Sequence, residues 1–233
     1  MIIVTDAHIS KARGNQTAFF KMLEAIERTG HDLILLGDIF DLWIALPRYE
    51  EDIHIKFITW CLEQKNSRTI GFLEGNHEYY LADQKARAFS WCSNDAWWQD
   101  GAGTLFVHGD QINRKDIKYL TFRQLIKSSL MKYLLRSLPY GPDIAASFKR
   151  GLRKTNQKFR RQMPLDEIRF FADNRFAEGI DTIFMGHFHQ EYCYRTQGSK
   201  KLHILPDWLT TQKVTLYQEN PISISTRHWR DLL

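Results

Sequence analysis

The sequence is poor in cysteine. Three residues, Cys61, Cys92 and Cys193, are spread over 233 positions. They are odd in number and far apart, which argues against a disulfide framework and predicts a reducing, cytoplasmic setting. Long apolar runs are also missing. The longest is Leu42–Leu46, whereas a membrane span needs roughly 20 apolar residues, so no spanning helix is expected. Met1-Ile2-Ile3-Val4 enters a strand-like run without a basic leader, which predicts no signal peptide. There is no internal repeat, low-complexity tract or flexible linker. With 43% hydrophobic and 25% charged residues, the composition is that of a folded chain rather than a disordered or collagen-like one. The length fits one domain carrying an insertion.

Charge is unevenly placed. The net charge is +5, yet residues 114–161 hold fourteen Lys or Arg against two acids, Asp116 and Asp143. That window is +12 and the remainder is −7, from 18 bases and 25 acids. A basic segment on an acidic body suits an anionic partner: a phosphate-bearing substrate, nucleic acid or an acidic lipid surface. A solvated helical face has the same composition.

Short apolar strands alternate with helical patterns. Strands are expected at Ile2–Thr5, Leu33–Leu36, Thr69–Leu73, Thr104–Val107 and Asp181–Met185. Helices are expected at Asn15–Arg28, Glu51–Gln64, Ala82–Phe89, Lys115–Leu138, Asp143–Arg160 and Pro164–Glu178. Pro139-Tyr140-Gly141-Pro142 splits the two basic helices. The tail from Glu191 to Trp229 reads as hairpins turning near Gly198 and Asn220. The pattern predicts an α/β sandwich.

The chemistry-bearing residues sit just after the strands. The first strand runs into Asp6-Ala7-His8 and the second into Gly37-Asp38-Ile39-Phe40-Asp41. The third is followed by Gly75-Asn76-His77-Glu78, the fourth by His108-Gly109-Asp110, and the fifth by Gly186-His187-Phe188-His189. Ligands of open α/β sheets bind beyond the carboxyl ends of the strands, so five such blocks would converge on one site. Each block taken singly is an ordinary strand-end turn or loop cap. Together they offer Asp, Asn and His without thiolate, a set suited to Mn²⁺, Fe or Zn²⁺. Glycine before Asp38, Asn76 and His187 allows a sharp turn and close backbone approach. His31, His54, His203 and His228 lack this context and read as structural or surface residues.

These blocks, from residue 6 to 189, resemble the calcineurin-like metallophosphoesterases. The resemblance implies a four-layer α/β/β/α sandwich with a helical insertion at about 114–161 and a site for two divalent metal ions. It implies that Asp6, His8 and His189 hold one ion, that Asn76, His108 and His187 hold the other, and that Asp38 bridges both. It implies that His77 stabilises the transition state or protonates the leaving oxygen. Paired cations can clamp the attacking and departing oxygens of a phosphoryl displacement.

A narrower likeness lies in the insertion. Asp116, Tyr119, Phe122 and Arg123 follow His108-Gly109-Asp110 in the spacing of the UDP-2,3-diacylglucosamine pyrophosphatases of the lipid A pathway, and Gly37-Asp38-Ile39-Phe40-Asp41-Leu42-Trp43 also resembles theirs. The resemblance implies a membrane-touching lid that takes acyl chains. Arg123 would bind phosphate or glucosamine, with Asp116 and Tyr119 as polar contacts. The expected setting is cytoplasmic, peripheral on the inner membrane face. The chain departs from that family in two places: His77-Glu78 stands where the family has Arg-Asp, and the basic run Arg150–Lys158 lacks a clear Ser. Because His can supply the proton an alkoxide needs near neutral pH, simpler phosphoesters stay open as substrates. The competing expectations are a soluble phosphoesterase or phosphodiesterase for nucleotides, nucleic acid or phosphoprotein, and a non-catalytic binding module. The apolar stripes of the insertion fit either a lid or helices that merely cap the core.

Overall fold

The computed structural model describes residues 1–139, 141 and 163–232. Two twisted sheets pack face to face. In the first, β1 (Ile2–Val4), β2 (Leu33–Leu35), β4 (Ile70–Leu73) and β6 (Trp91–Ser93) run parallel, and β12 (Lys213–Gln218) and β13 (Ser223–His228) extend the β1 edge as an antiparallel hairpin. In the second, β8 (Thr104–Val107), β9 (Thr182–Met185) and β11 (Lys201–Ile204) are parallel. They are flanked by antiparallel β7 (Trp97–Gln99) and β10 (Tyr192–Arg195). A two-stranded pair, β3 (Trp43–Ile44) with β5 (Glu78–Tyr79), stands apart.

Alternation along each strand creates the layers, because successive side chains point to opposite faces. Ile2, Val4, Leu33, Leu35, Ile70 and Phe72 face α1 (Gln16–Glu27) and α2 (Asp52–Gln64), meeting Phe19, Met22 and Phe57. Their neighbours Ile3, Ile34 and Leu73 turn inward to Phe106 and Phe184 of the other sheet. The opposite residues of that sheet, Leu105, Val107, Ile183 and Met185, pack on Ile168, Ala172 and Phe176 of α6 (Leu165–Ala177). The order is helix, sheet, sheet, helix, the four-layer sandwich expected.

Three local expectations change. Ala82–Phe89 is not one helix but α3 (Leu81–Gln84) followed by a separate 3₁₀ turn, Ala86–Ala88. Lys115–Leu138 is two helices, α4 (Ile117–Ile126) and α5 (Ser129–Ser137). The chain breaks there because Ser128 takes an extended backbone and its side chain accepts from the Met131 amide, capping α5. The strands Trp91–Ser93 and Trp97–Gln99 escaped the periodicity. Three residues give no period, and they are fixed by tertiary packing: the indoles of Trp91 and Trp98 stack with centroids 3.9 Å apart, over Gly71, where a Cβ would meet the Trp91 ring at 2.2 Å. The expected helix Asp143–Arg160 lies outside the described residues.

Candidate metal centre

The site begins with backbone conformation. Asp6, His8, Asp38, His187 and His189 all have positive φ, between 44° and 71°. Non-glycine residues rarely adopt this region, at a cost of about 1–3 kcal/mol each, and such strain concentrates at functional sites. Among the other described non-glycine residues only Tyr80 and Gln212 share it. The preceding glycines let the loops close in. A Cβ on Gly37 would lie 2.4 Å from His108 Nδ1, one on Gly75 2.3 Å from Asp38 Oδ1, and one on Gly186 2.9 Å from Asp6 Oδ2.

The side chains then converge. Asp6, His8 and His189 form one group whose donor atoms lie within 4.8 Å of one another; His8, Asp38 and His77 form a second, and Asp38, His108 and His187 a third. Asp38 Oδ1 is 3.4 Å from His108 Nε2, and Asp38 Oδ2 is 3.8 Å from Nε2 of both His8 and His77. Asn76 Oδ1 lies 3.2 Å from His108 Nε2. All seven residues expected at the metals, with His77, therefore share one cluster at the carboxyl ends of β1, β2, β4, β8 and β9.

The donor set fits a cation. Asp6 Oδ1 and His8 Nδ1 are buried with no hydrogen-bond partner, an arrangement that needs an explanation such as an ion. Burial alone would push Asp38 up, but His77, His108 and His8 hold its carboxyl well below the usual range. Burial opposes protonation of His108, yet Asp38 first, then Asp6 and Asp110, push its pKa up to about 10. The carboxylates thus draw positive charge into the cluster. Burial, then His77, lowers His8 well below its ordinary value, and burial, then His108, lowers His187. Neutral imidazole is the ligand form.

Residues whose roles the motifs did not disclose hold the loops. Glu78, fully buried, collects four backbone amides: Asp38 and Gly75 donate to Oε2 at 2.9 and 3.0 Å, and Ile39 and Phe40 to Oε1 at 2.8 and 3.2 Å. Burial, then the Asp38 charge, pushes Glu78 up to about 7 against those bonds. Asp41 accepts from Ser10 Oγ and Arg13 Nε, tying the first loop to the second. Its carbonyl lies 2.5 Å from His77 Nδ1. If that nitrogen donates, Nε2 is the one left toward Asp38.

The insertion residues sit beside this cluster with divided roles. Tyr119 donates its hydroxyl to Asp110 Oδ2 at 2.7 Å, and Arg123 Nε donates to the same oxygen at 2.5 Å. Burial opposes ionisation of Asp110, but Arg123, then His108 and His187, hold its pKa down. Asp116 caps α4, accepting from the Tyr119 amide at 3.0 Å. Phe122 is exposed. His54, read as structural, is buried and stacks on Trp43.

The calcineurin-like phosphoesterase family model matches residues 1–191. A UDP-2,3-diacylglucosamine hydrolase of Blochmanniella pennsylvanica is 26% identical over 213 residues, covering 86% of this chain and 83% of that one. One of Pseudomonas syringae pv. tomato is 27% identical, covering 89% and 88%. One of Pasteurella multocida is 23% identical, covering 91% of each. Among the described residues no helix is long and apolar enough to cross a membrane. From the family match over most of its length, with the Asp/His cluster at its strand ends, the chain belongs to the calcineurin-like phosphoesterases and is a metal-dependent phosphohydrolase.

Proposed function

We propose that the protein is a two-metal pyrophosphohydrolase that uses water to split UDP-2,3-diacylglucosamine, or a nucleotide-activated glycolipid like it, into UMP and a lipid phosphate. The observation that carries this reading is α4. It is tied to the cluster through Asp110 and leaves Ile117, Phe122 and Leu125 exposed, while α5 exposes Leu130, Tyr133 and Leu134. Apolar side chains interspersed with the bases of residues 114–161 suit an amphiphile with an anionic head. A cavity of about 410 Å³, lined by Trp97, Val107, Ile112, Phe170 and Phe171 together with the charged Arg114, Lys115, Asp166 and Glu167, adds room near the same strand end. The names of the relatives support the same substrate class.

In this reading the chain is a single domain whose basic insertion, of which α4 and α5 are among the described residues, serves as the lid. Asp6, His8 and His189 would hold one ion, Asn76, His108 and His187 the other, and Asp38 both. The set of carboxylate, amide and imidazole donors suits Mn²⁺, Fe or Zn²⁺, and Mn²⁺ is the ion taken for the tests. When bound, such ions polarise phosphoryl oxygens and lower the pKa of water. Arg123 and Tyr119, held against Asp110, would orient the phosphate or sugar, with Asp116 near them and Phe122 against an acyl chain. Several bases near an anionic bilayer, each adding about 1 kcal/mol, would keep the enzyme on the inner membrane face.

The test compares substrates. Mn²⁺-loaded protein should turn over UDP-2,3-diacylglucosamine with a kcat/KM roughly a hundredfold above that for an aryl phosphate or a cyclic dinucleotide, the ratio that about 3 kcal/mol of acyl-chain burial supplies. It should also sediment with anionic vesicles at low salt and leave them at high salt. Aryl phosphate turnover equal to that of the glycolipid, without vesicle binding, would replace this reading with a soluble phosphoesterase.

His77 favours that second reading, because a proton donor helps most when an alkoxide departs. His77→Ala should retain metal and slow turnover by about 10²–10⁴-fold for poor leaving groups, less for good ones. A uniform loss along an aryl phosphate series would give His77 an electrostatic role instead.

A further inference from the structure

Lys127 ends α4 and reaches back into the body of the protein. Its Nζ donates to Glu74 Oε2 and to the Gly75 carbonyl, each at 2.9 Å. The Lys127 and Glu74 side chains are 8% and 0% exposed. Glu74 Oε1 accepts from the Ala82 amide at 2.8 Å. The Tyr80 hydroxyl bonds the carbonyl of Ile126, next to Lys127, at 2.5 Å. The C-terminal end of α4 is therefore seated on the segment that carries Asn76.

The Gly75 carbonyl belongs to the peptide bond that joins Gly75 to Asn76. The Gly75 amide is held by Glu78 Oε2, so this residue is gripped on one side by the sandwich and on the other by the insertion. There is no slack: a Cβ on Gly75 would stand 2.3 Å from Asp38 Oδ1 and 2.8 Å from His108 Nε2. Tilting that peptide moves Asn76 Oδ1 relative to His108 Nε2, 3.2 Å away. A planar peptide transmits such a rotation directly to the following Cα.

We infer that Lys127 is a positioning residue for Asn76, and that it couples the seating of the insertion to cation binding at the Asn76–His108–His187 half of the centre. The inference rests on the two-metal reading. Partners that orient a metal ligand are worth about 10–100-fold in metal affinity. Linkage is reciprocal, so a cation bound there also steadies α4. A purely structural ion pair would lower the melting temperature and leave the two cation affinities alone.

The experiment is a Mn²⁺ titration of the full chain by calorimetry, using wild type, Lys127→Arg and the double variant Lys127→Met/Glu74→Gln. The double variant avoids stranding a buried carboxylate, because the amide introduced by Glu74→Gln keeps an acceptor for the Ala82 N–H. Wild type should bind two Mn²⁺. The double variant should keep one site at wild-type affinity and weaken the other about 10–100-fold, with Lys127→Arg in between. Hydrogen exchange in residues 117–126 should slow on Mn²⁺ addition in wild type and not in the double variant. Two wild-type affinities in the double variant, or equal weakening of both sites, would overturn the role of Lys127 alone. Fewer than two Mn²⁺ in wild type would overturn the two-metal reading and this inference together.

Discussion

Asp38→Asn should leave a folded protein that holds neither Mn²⁺ at wild-type affinity and has lost about 10³-fold or more of its turnover, the loss that several kcal/mol of transition-state stabilisation represents. Asp38 belongs to two of the three His/carboxylate groups, with one oxygen toward His108 and the other toward His8 and His77. His8 also belongs to two of these groups, but it is Asp38 that turns two ligand oxygens to different histidines, so in the two-metal reading it is the residue that would face both halves. Asn keeps the shape and an oxygen able to accept from the His77 amide, which now donates to Oδ1 at 2.9 Å, so the backbone keeps its partner. It removes the charge that raises His108, whose pKa should fall from about 10. A neutral His108 is easier for a cation to bind, which works against the predicted loss and makes the measurement discriminating. Elemental analysis after gel filtration and kcat/KM on an aryl phosphate are the readouts. Two retained ions, or activity within tenfold of wild type, would refute the bridging role.

Glu78→Gln should cost about 3–5 kcal/mol of stability and lower the melting temperature by about 10 °C for a chain of this size. The effect belongs to buffer well above the pKa of about 7, where Glu78 is a carboxylate and each of its oxygens accepts from two amides. A glutamine has one oxygen, so its NH₂ must face two buried N–H donors, each left unsatisfied at about 1–3 kcal/mol. The displaced loops are those of Asp38 and Asn76, so Mn²⁺ affinity should fall with stability even below the melting transition. Thermal denaturation in chelator, paired with Mn²⁺ titration about 20 °C below the midpoint, separates the two effects. Wild-type melting would show that the four amides find other partners; wild-type Mn²⁺ binding in a destabilised variant would show that Glu78 braces the fold but not the centre.

Much of this centre was legible in the residue order. Asp6-x-His8, Gly37-Asp38, Gly75-Asn76-His77-Glu78, His108 and Gly186-His187-x-His189 each follow an apolar run short enough to be a buried strand, and the structure brings them together. The glycines were readable for the same reason: three precede residues that must come close, and their missing Cβ atoms leave the space that Asp38, Asp6 and His108 occupy. Glu78 was visible as part of a motif, but its work was not, because its partners are amides forty residues earlier and three before it. Arg123 carried a spacing that suggested substrate, while Asp110 also claims its Nε. Nothing in Lys127 distinguishes it from the other bases of its segment.

The sequence by itself determined the alternating strands, hence the layers, and the identity of the side chains at the strand ends. Those follow from local rules: a period of two sets the buried faces, and chain direction sets which end carries each block. Only the tertiary structure decided which carboxylate meets which base, that Asp6, His8, Asp38, His187 and His189 take positive φ, and that α4 rests on Glu74 and Gly75. Those choices depend on atoms brought together from opposite sheets and an inserted helix. Burial makes them decisive, since a charge removed from water must find its partner wherever the fold places one.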